Sequence, residues 1–171
     1  WPSAMTALST PDTSRPDPGG TSVPAMSSLG LIVNPTSGKN TGARLGTEAL
    51  TLLRAAGVEI VDLSAVDARS AMERGRAAIS AGAVDTIVVA GGDGMVHLGA
   101  NLCAGTGVPL GIIAAGTGND IARELGLPVR DAAKSVERIL SGSTRVVDAA
   151  RHTTATGQVK WFLGVLAAGF D

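Results

Sequence analysis

The chain predicts an α/β fold, a mostly parallel sheet with helices on both faces, and three observations carry that prediction. Continuous runs of Val, Ile and Leu recur along it, as expected for strands covered on both sides rather than wetted on one. Between those runs lie segments whose apolar residues fall three and four apart, the period of an amphipathic helix. Two of the runs also stop abruptly at glycines, as buried strands do when they end in tight turns.

The elements follow in order. Leu29 to Val33 reads as the first strand and Asn34 to Asn40 as a loop. The next helix places Leu45, Ala49, Leu52, Leu53 and Ala56 on one face and ends at Gly57. Val58 to Leu63 is a strand, Asp67 to Ala81 a helix, and Thr86 to Ala90 a third strand. A helix then aligns Met95, Leu98 and Leu102. Leu110 to Ala114 is the fourth strand, and a short helix runs through Ile121, Ala122 and Leu125 to Gly126, where Pro128 blocks continuation. Asp131 caps a helix with the stripe Ala132, Ala133, Val136, Ile139 and Leu140. Arg145 to Ala149 and Val159 to Ala168 read as further strands, joined by the polar stretch His152 to Gly157.

Composition narrows the function classes. A chain of 171 residues with 44% hydrophobic content suits one domain with a proper core. Aromatic residues make up 2% of the chain and its net charge is −1. Neither a base-stacking platform nor a basic stripe is therefore available, and nucleic acid is not an expected partner. Cys103 is alone, which excludes an internal disulfide and makes it core filler. No apolar run approaches the ~20 residues that span a bilayer. Residues 1–28 hold five of the eight prolines with no apolar period, and are expected to be a disordered leader or an upstream remnant, with Met26 as a natural start. The domain proper is expected over 29–171, and the stop at Gly169-Phe170-Asp171 directly after a strand suggests truncation.

The chemistry is concentrated in three strand-end loops. Gly91-Gly92-Asp93-Gly94 and Gly116-Thr117-Gly118-Asn119-Asp120 each follow an apolar run, where missing side chains let backbone N–H groups approach a phosphate. An Asp beside phosphate repels it unless a divalent cation or a proton transfer intervenes, so the acids point to nucleotide chemistry with magnesium. Open α/β sheets bind ligands at the carboxyl ends of their strands, so these loops and Asn34 to Asn40 are expected to line one crevice. The P-loop pattern fails, because Val33 stands where its first glycine belongs and Asn40 where its Ser or Thr belongs; a dinucleotide fingerprint begun at Gly92 fails at His97.

Asn34-Pro35-Thr36-Ser37-Gly38-Lys39, Gly91-Gly92-Asp93-Gly94 and Gly116-Thr117-Gly118-Asn119-Asp120-Ile121-Ala122-Arg123, in that order, resemble the nucleotide-binding domain of the diacylglycerol kinase family, which includes sphingosine and ceramide kinases and is distantly related to NAD kinases. The resemblance implies a Rossmann-like domain of that type and a second, β-rich domain that shapes a lipid cleft. It implies a lipid kinase that moves the γ-phosphate of ATP to a hydroxyl of diacylglycerol or a related lipid, with ATP and Mg2+ as cofactors. By position, Asn34, Thr36, Ser37, Gly38, Ser64, Gly91, Gly92, Asp93, Gly94, Met95, Gly116, Thr117 and Asn119 would contact or close over the nucleotide. Asp93, Asp120 and Asp148 would organise magnesium through waters, and Asp93 is the candidate base, although in bacterial relatives a carboxylate of the second domain is implicated. The protein is then expected to be cytoplasmic and peripheral to the membrane, with a lipid at the membrane surface and its own second domain as partners and a homodimer as an option. The chain alone is expected to be poorly active.

Three positions depart from the family pattern: Met95 replaces a Thr, Leu98 a Glu and Ala114 a Pro. Blander readings compete at single residues. Asp93 can be a turn former, Asp120 a first-turn acid that complements the helix dipole, Lys39 a solvated loop cation, and His97 and His152 packing or surface residues. Trp161 and Phe162 are expected to pack on the second domain or to stay partly exposed. A NAD kinase and a nucleotide-binding module without catalysis are the alternatives.

Overall fold

The computed structural model describes residues 28–34 and 41–163, so Thr36, Ser37, Gly38, residues 1–27 of the expected leader and the last eight residues lie outside the described residues, while Ser28 already belongs to the first strand. Eleven elements are described: β1 (Ser28–Val33), α1 (Thr41–Ala55), β2 (Glu59–Asp62), α2 (Ala68–Ser80), β3 (Thr86–Gly91), α3 (Asp93–Cys103), β4 (Leu110–Ala114), α4 (Asp120–Glu124), α5 (Ala132–Leu140), β5 (Ala150–Thr153) and β6 (Val159–Phe162). The first four strands form one parallel sheet in the order β2-β1-β3-β4. The fold class is thus the α/β arrangement read from the sequence.

Both faces of the sheet are covered, and period-two alternation along the strands divides the core between them. Ile32, Ile87, Val89 and Ile112 meet Ala71 and Ala78 of α2 and Val96 and Leu102 of α3. Leu29, Leu31, Val88, Ala90 and Ile113 meet Leu45, Ala49 and Leu53 of α1 and Ala132 and Val136 of α5. Each large aliphatic residue buried in this way contributes about 1.5–3 kcal/mol. Cys103 sits half-buried behind β4, and burial pushes its thiol up to about 12, as suits core filler rather than a nucleophile.

The helix ends follow local chemistry. Gly57, at φ +79°, closes α1 while the N–H of Val58 returns to the carbonyl of Leu53. Asp67 caps α2 by accepting from the Ser70 N–H at 2.7 Å. Asp131 caps α5 in the same way, accepting from the Lys134 N–H at 2.9 Å. Those bonds hold both carboxyls below their ordinary value of 3.8.

Some expected details are corrected. Ala56 lies beyond α1 and is exposed, and the α5 stripe is narrower than expected, with Ala133 exposed and Ser135 buried in its place. Arg145 to Ala149 is not a strand: Val146 is 99% exposed, and pairing begins only at Ala150. His152 belongs to β5, opposite Lys160 of β6, rather than to the connector. The β5-β6 hairpin is antiparallel and separate from the main sheet. It is fastened to α3 by one side chain: Asn101 donates to the Trp161 carbonyl at 2.7 Å and accepts from the Trp161 N–H at 2.9 Å. Trp161 and Phe162 are half-buried there.

Candidate functional site

In the order β2-β1-β3-β4 the chain leaves β1 toward one edge of the sheet and β3 toward the other, so the crevice of a topological switch point opens at the carboxyl ends of these two neighbours. Asn34 stands at the end of β1, its N–H donating to the Ala90 carbonyl of β3 at 3.0 Å. Ser64 follows β2 and is drawn to the same rim, where its Oγ accepts from the Val33 N–H at 3.0 Å. The loop 35–40, with Thr36, Ser37 and Gly38, leaves from this rim and is not described.

β3 runs into Gly91 and Gly92, and α3 begins at Asp93. Gly92 occupies the N-cap with extended backbone and has no side chain to cap the helix. Among the described residues nothing accepts from the N–H groups of Gly92, Asp93 and Gly94, so an 11-residue helix presents its positive end to the crevice. Met95 does not share this role. Its N–H is bonded to the Gly92 carbonyl at 2.9 Å and its side chain packs on the core, so its part is to hold the helix start.

The second turn lies directly against the first. Gly92 and Gly116 approach so closely that a Cβ on Gly116 would overlap the Cα of Gly92. Asn119, buried and left-handed at φ +59°, returns its amide to Gly116, accepting from the N–H and donating to the carbonyl at 2.8 Å each. Its side chain therefore closes the turn. Thr117 is exposed at the tip.

Asp93 ties the two turns together. Its Oδ1 accepts from the Ile121 N–H at the start of α4 at 3.0 Å, and its Oδ2 stands 3.2 Å from where a Gly118 Cβ would be. The Oδ2 of Asp120 is 3.3 Å from that same point, so two carboxylates flank Gly118. Asp120 is exposed and pairs with Arg123 at 3.2 Å. Asp148 is exposed on the stretch between α5 and β5, outside these bonds. Among the described residues no group of three or more His, Cys, Asp or Glu side chains is gathered to hold a metal.

Two arginines complete the arrangement. Arg130 donates through Nε and Nη2 to the Gly116 carbonyl at 3.2 and 3.1 Å, and Nη2 also reaches the Thr117 carbonyl at 3.4 Å. Arg123 donates to the Gly118 carbonyl. Arg130 was not singled out by sequence reasoning, because an arginine soon after Pro128 has the appearance of loop filler. A large cavity of about 850 Å³ lies elsewhere, along the open edge of β4 near Cys103, Leu127, Ile139 and Val147. None of the site residues expected from the sequence lines it, and the free amides and carboxylates lie at the strand ends instead.

Residues 28–152 match the diacylglycerol kinase catalytic domain. A diacylglycerol kinase of Mycobacterium tuberculosis is 39% identical over 140 residues, covering 82% of this chain and 45% of that protein. The diacylglycerol kinase of Bacillus subtilis is 31% identical over 143 residues, covering 81% and 45%. Among solved structures, a diacylglycerol kinase from Bacillus anthracis superposes with a TM-score of 0.63 at 32% identity, covering 78% of this chain and 45% of that one. The chain thus spans less than half the length of these relatives. No helix among the described residues is long and apolar enough to cross a membrane. With the match running from β1 into β5 and including both glycine turns, the chain belongs to the diacylglycerol kinase catalytic domain family.

Proposed function

We propose that this chain is the nucleotide-binding half of a lipid kinase, one that transfers the γ-phosphate of ATP to a hydroxyl of diacylglycerol or a related lipid. The observation that carries the reading is the contact of two strand-end turns into one surface of free backbone N–H groups, with the Asp93 carboxylate braced across both. Such amides lose nothing to reorganisation when negative charge arrives, and the N-terminus of α3 adds its dipole.

Phosphoryl transfer is mostly positioning and charge neutralisation. The amides of Gly92 to Gly94 and of Thr117 to Asn119 would cradle the phosphates, and Asn34 and Ser64 would border the nucleotide on the β1 and β2 side. The lipid hydroxyl oxygen bonds to the γ-phosphorus, the bond from that phosphorus to the β–γ bridging oxygen breaks, and ADP leaves. The hydroxyl proton passes to a carboxylate, for which Asp93 is the candidate because one of its oxygens is anchored and the other remains available. Asp93 and Asp120 are the groups that would hold Mg2+, whose charge would offset that of the triphosphate. Asp148 would reach such an ion only through water. The protein would work at a membrane surface, where its lipid resides.

Asp93→Asn separates the roles, because the Asn oxygen can still accept from Ile121 and keep the turns together. In a calorimetric titration, ATP without magnesium should bind the parent and the variant within a few fold of each other, whereas magnesium should tighten ATP binding to the parent more than to the variant. In a chain of the relatives' full length, labelled phosphate transfer to diacylglycerol in mixed micelles should fall by about 10²-fold or more. A parent chain that takes up no ATP would overturn the reading.

A further inference from the structure

Arg130 sits six residues beyond α4, yet its guanidinium is folded back onto the glycine turn rather than into solvent. We infer that Arg130 is a positioning residue that sets the direction of the phosphate-facing amides by holding the carbonyls on the reverse side of the same peptide planes. The inference rests on the nucleotide reading above and adds to it a residue outside the glycine motifs.

Arg130 acts through peptide geometry. In a trans peptide the C=O and the following N–H point in opposite directions. Arg130 captures the carbonyls of Gly116 and Thr117, and Arg123 captures that of Gly118. The N–H groups of Thr117, Gly118 and Asn119 belong to those three planes and therefore point the other way, and no described residue accepts from them. A turn rich in glycine would otherwise sample several peptide orientations, because glycine resists few of them. The Gly116 N–H is the exception in this turn, being tied inward by Asn119.

Arg130 is itself held in an unusual state for the purpose. It is one of two non-glycine residues at positive φ among those described, at +55°, the other being Asn119 in the same turn that it grips. Its backbone N–H donates to the Ala114 carbonyl at 2.8 Å, which fixes it to the end of β4, and Val129 bridges to Ala114 beside it. Both left-handed residues thus converge on Gly116. Guanidinium suits the task because its donors lie in one rigid plane and hold two carbonyls in a fixed relation, where an ammonium on a flexible stem would not.

The test compares Arg130→Gln and Arg130→Lys with the parent chain, using Mg·ATP, inorganic pyrophosphate and adenosine as separate titrants. Arg130→Gln should weaken ATP and pyrophosphate by about tenfold or more and leave adenosine unchanged, with amide nitrogen shifts confined to residues 116–119. Arg130→Lys should restore part of the loss. Should Arg130→Gln fail to fold, Arg130→Lys against the parent carries the same comparison. Equal pyrophosphate affinity in parent and variants, or an equal loss for adenosine and pyrophosphate, overturns the inference while the nucleotide reading stands. A parent that binds neither ATP nor pyrophosphate overturns both.

Discussion

Replacing Gly116 by alanine tests the contact on which the site is built. The added Cβ would overlap the Cα of Gly92, stand 3.1 Å from its nitrogen and 2.9 Å from the Asn119 Oδ1. Two of these neighbours are backbone atoms at the start of α3, so the clash cannot be relieved by a rotamer. Ordinary contact begins near 3.4 Å. The turns must part by about 1 Å to reach it, because a close-packed interior has no slack to absorb the methyl group. Overpacking of this kind costs about 1–3 kcal/mol, which lowers the melting temperature by roughly 2–10 °C for a domain of this size. A displacement of about 1 Å at a reacting centre costs on the order of 10²-fold, so function should suffer more than stability. Gly94→Ala is the control for stability. Its Cβ meets nothing within 4 Å and it lies inside α3. Alanine there should raise stability by about 0.5–1 kcal/mol. Thermal melts followed by Mg·ATP titration on both variants give the comparison. If Gly116→Ala matches the parent in melting temperature and ATP affinity, the two turns are not in the contact described.

Two further outcomes follow from the fold. Asp67 and Asp131 are held below the ordinary carboxylate value of 3.8, first of all by the backbone N–H bonds of Ser70 and Lys134. The stability they confer is therefore complete above 3.8 and lost as pH falls through their lower native values. A variant with both Asp67→Asn and Asp131→Asn keeps capping side chains that do not titrate, so its melting temperature should fall less steeply on acidification; superimposable acid limbs would contradict this. Asn101→Ala removes two hydrogen bonds to Trp161, each worth about 1 kcal/mol. Amides of 150–153 and 159–162 should then exchange about tenfold faster or more while those of β1, β3 and β4 stay protected, as hydrogen-exchange mass spectrometry can show.

Much of this molecule was legible in the chain because its signals are local. The strands β1, β3 and β4 are continuous apolar runs, α2 and α5 begin at Asp caps, and Gly57 ends α1 where a left-handed residue is needed. Val146 and Val147 misled for the same reason. They carry strand propensity, but a strand needs a partner, and the turn closed by Gly157 sets Ala150 to Thr153 against Val159 to Phe162 instead. At the site, the glycines and acids announced themselves by spacing, whereas Arg130 could not. Its role comes from a left-handed backbone and a fold-back across the end of β4, and neither leaves a mark in composition or period.

The fastening of the hairpin to α3 has a mechanical consequence. Asp93 opens the helix and Asn101 sits eight residues on, along a hydrogen-bonded rod that is stiff over so short a span. A pull on β6 would therefore act on the same rigid element that carries the carboxylate, without any chain of rearranging side chains between them. The hairpin and the glycine turns thus share one short helix, with Trp161 bonded near its end and Asp93 at its start.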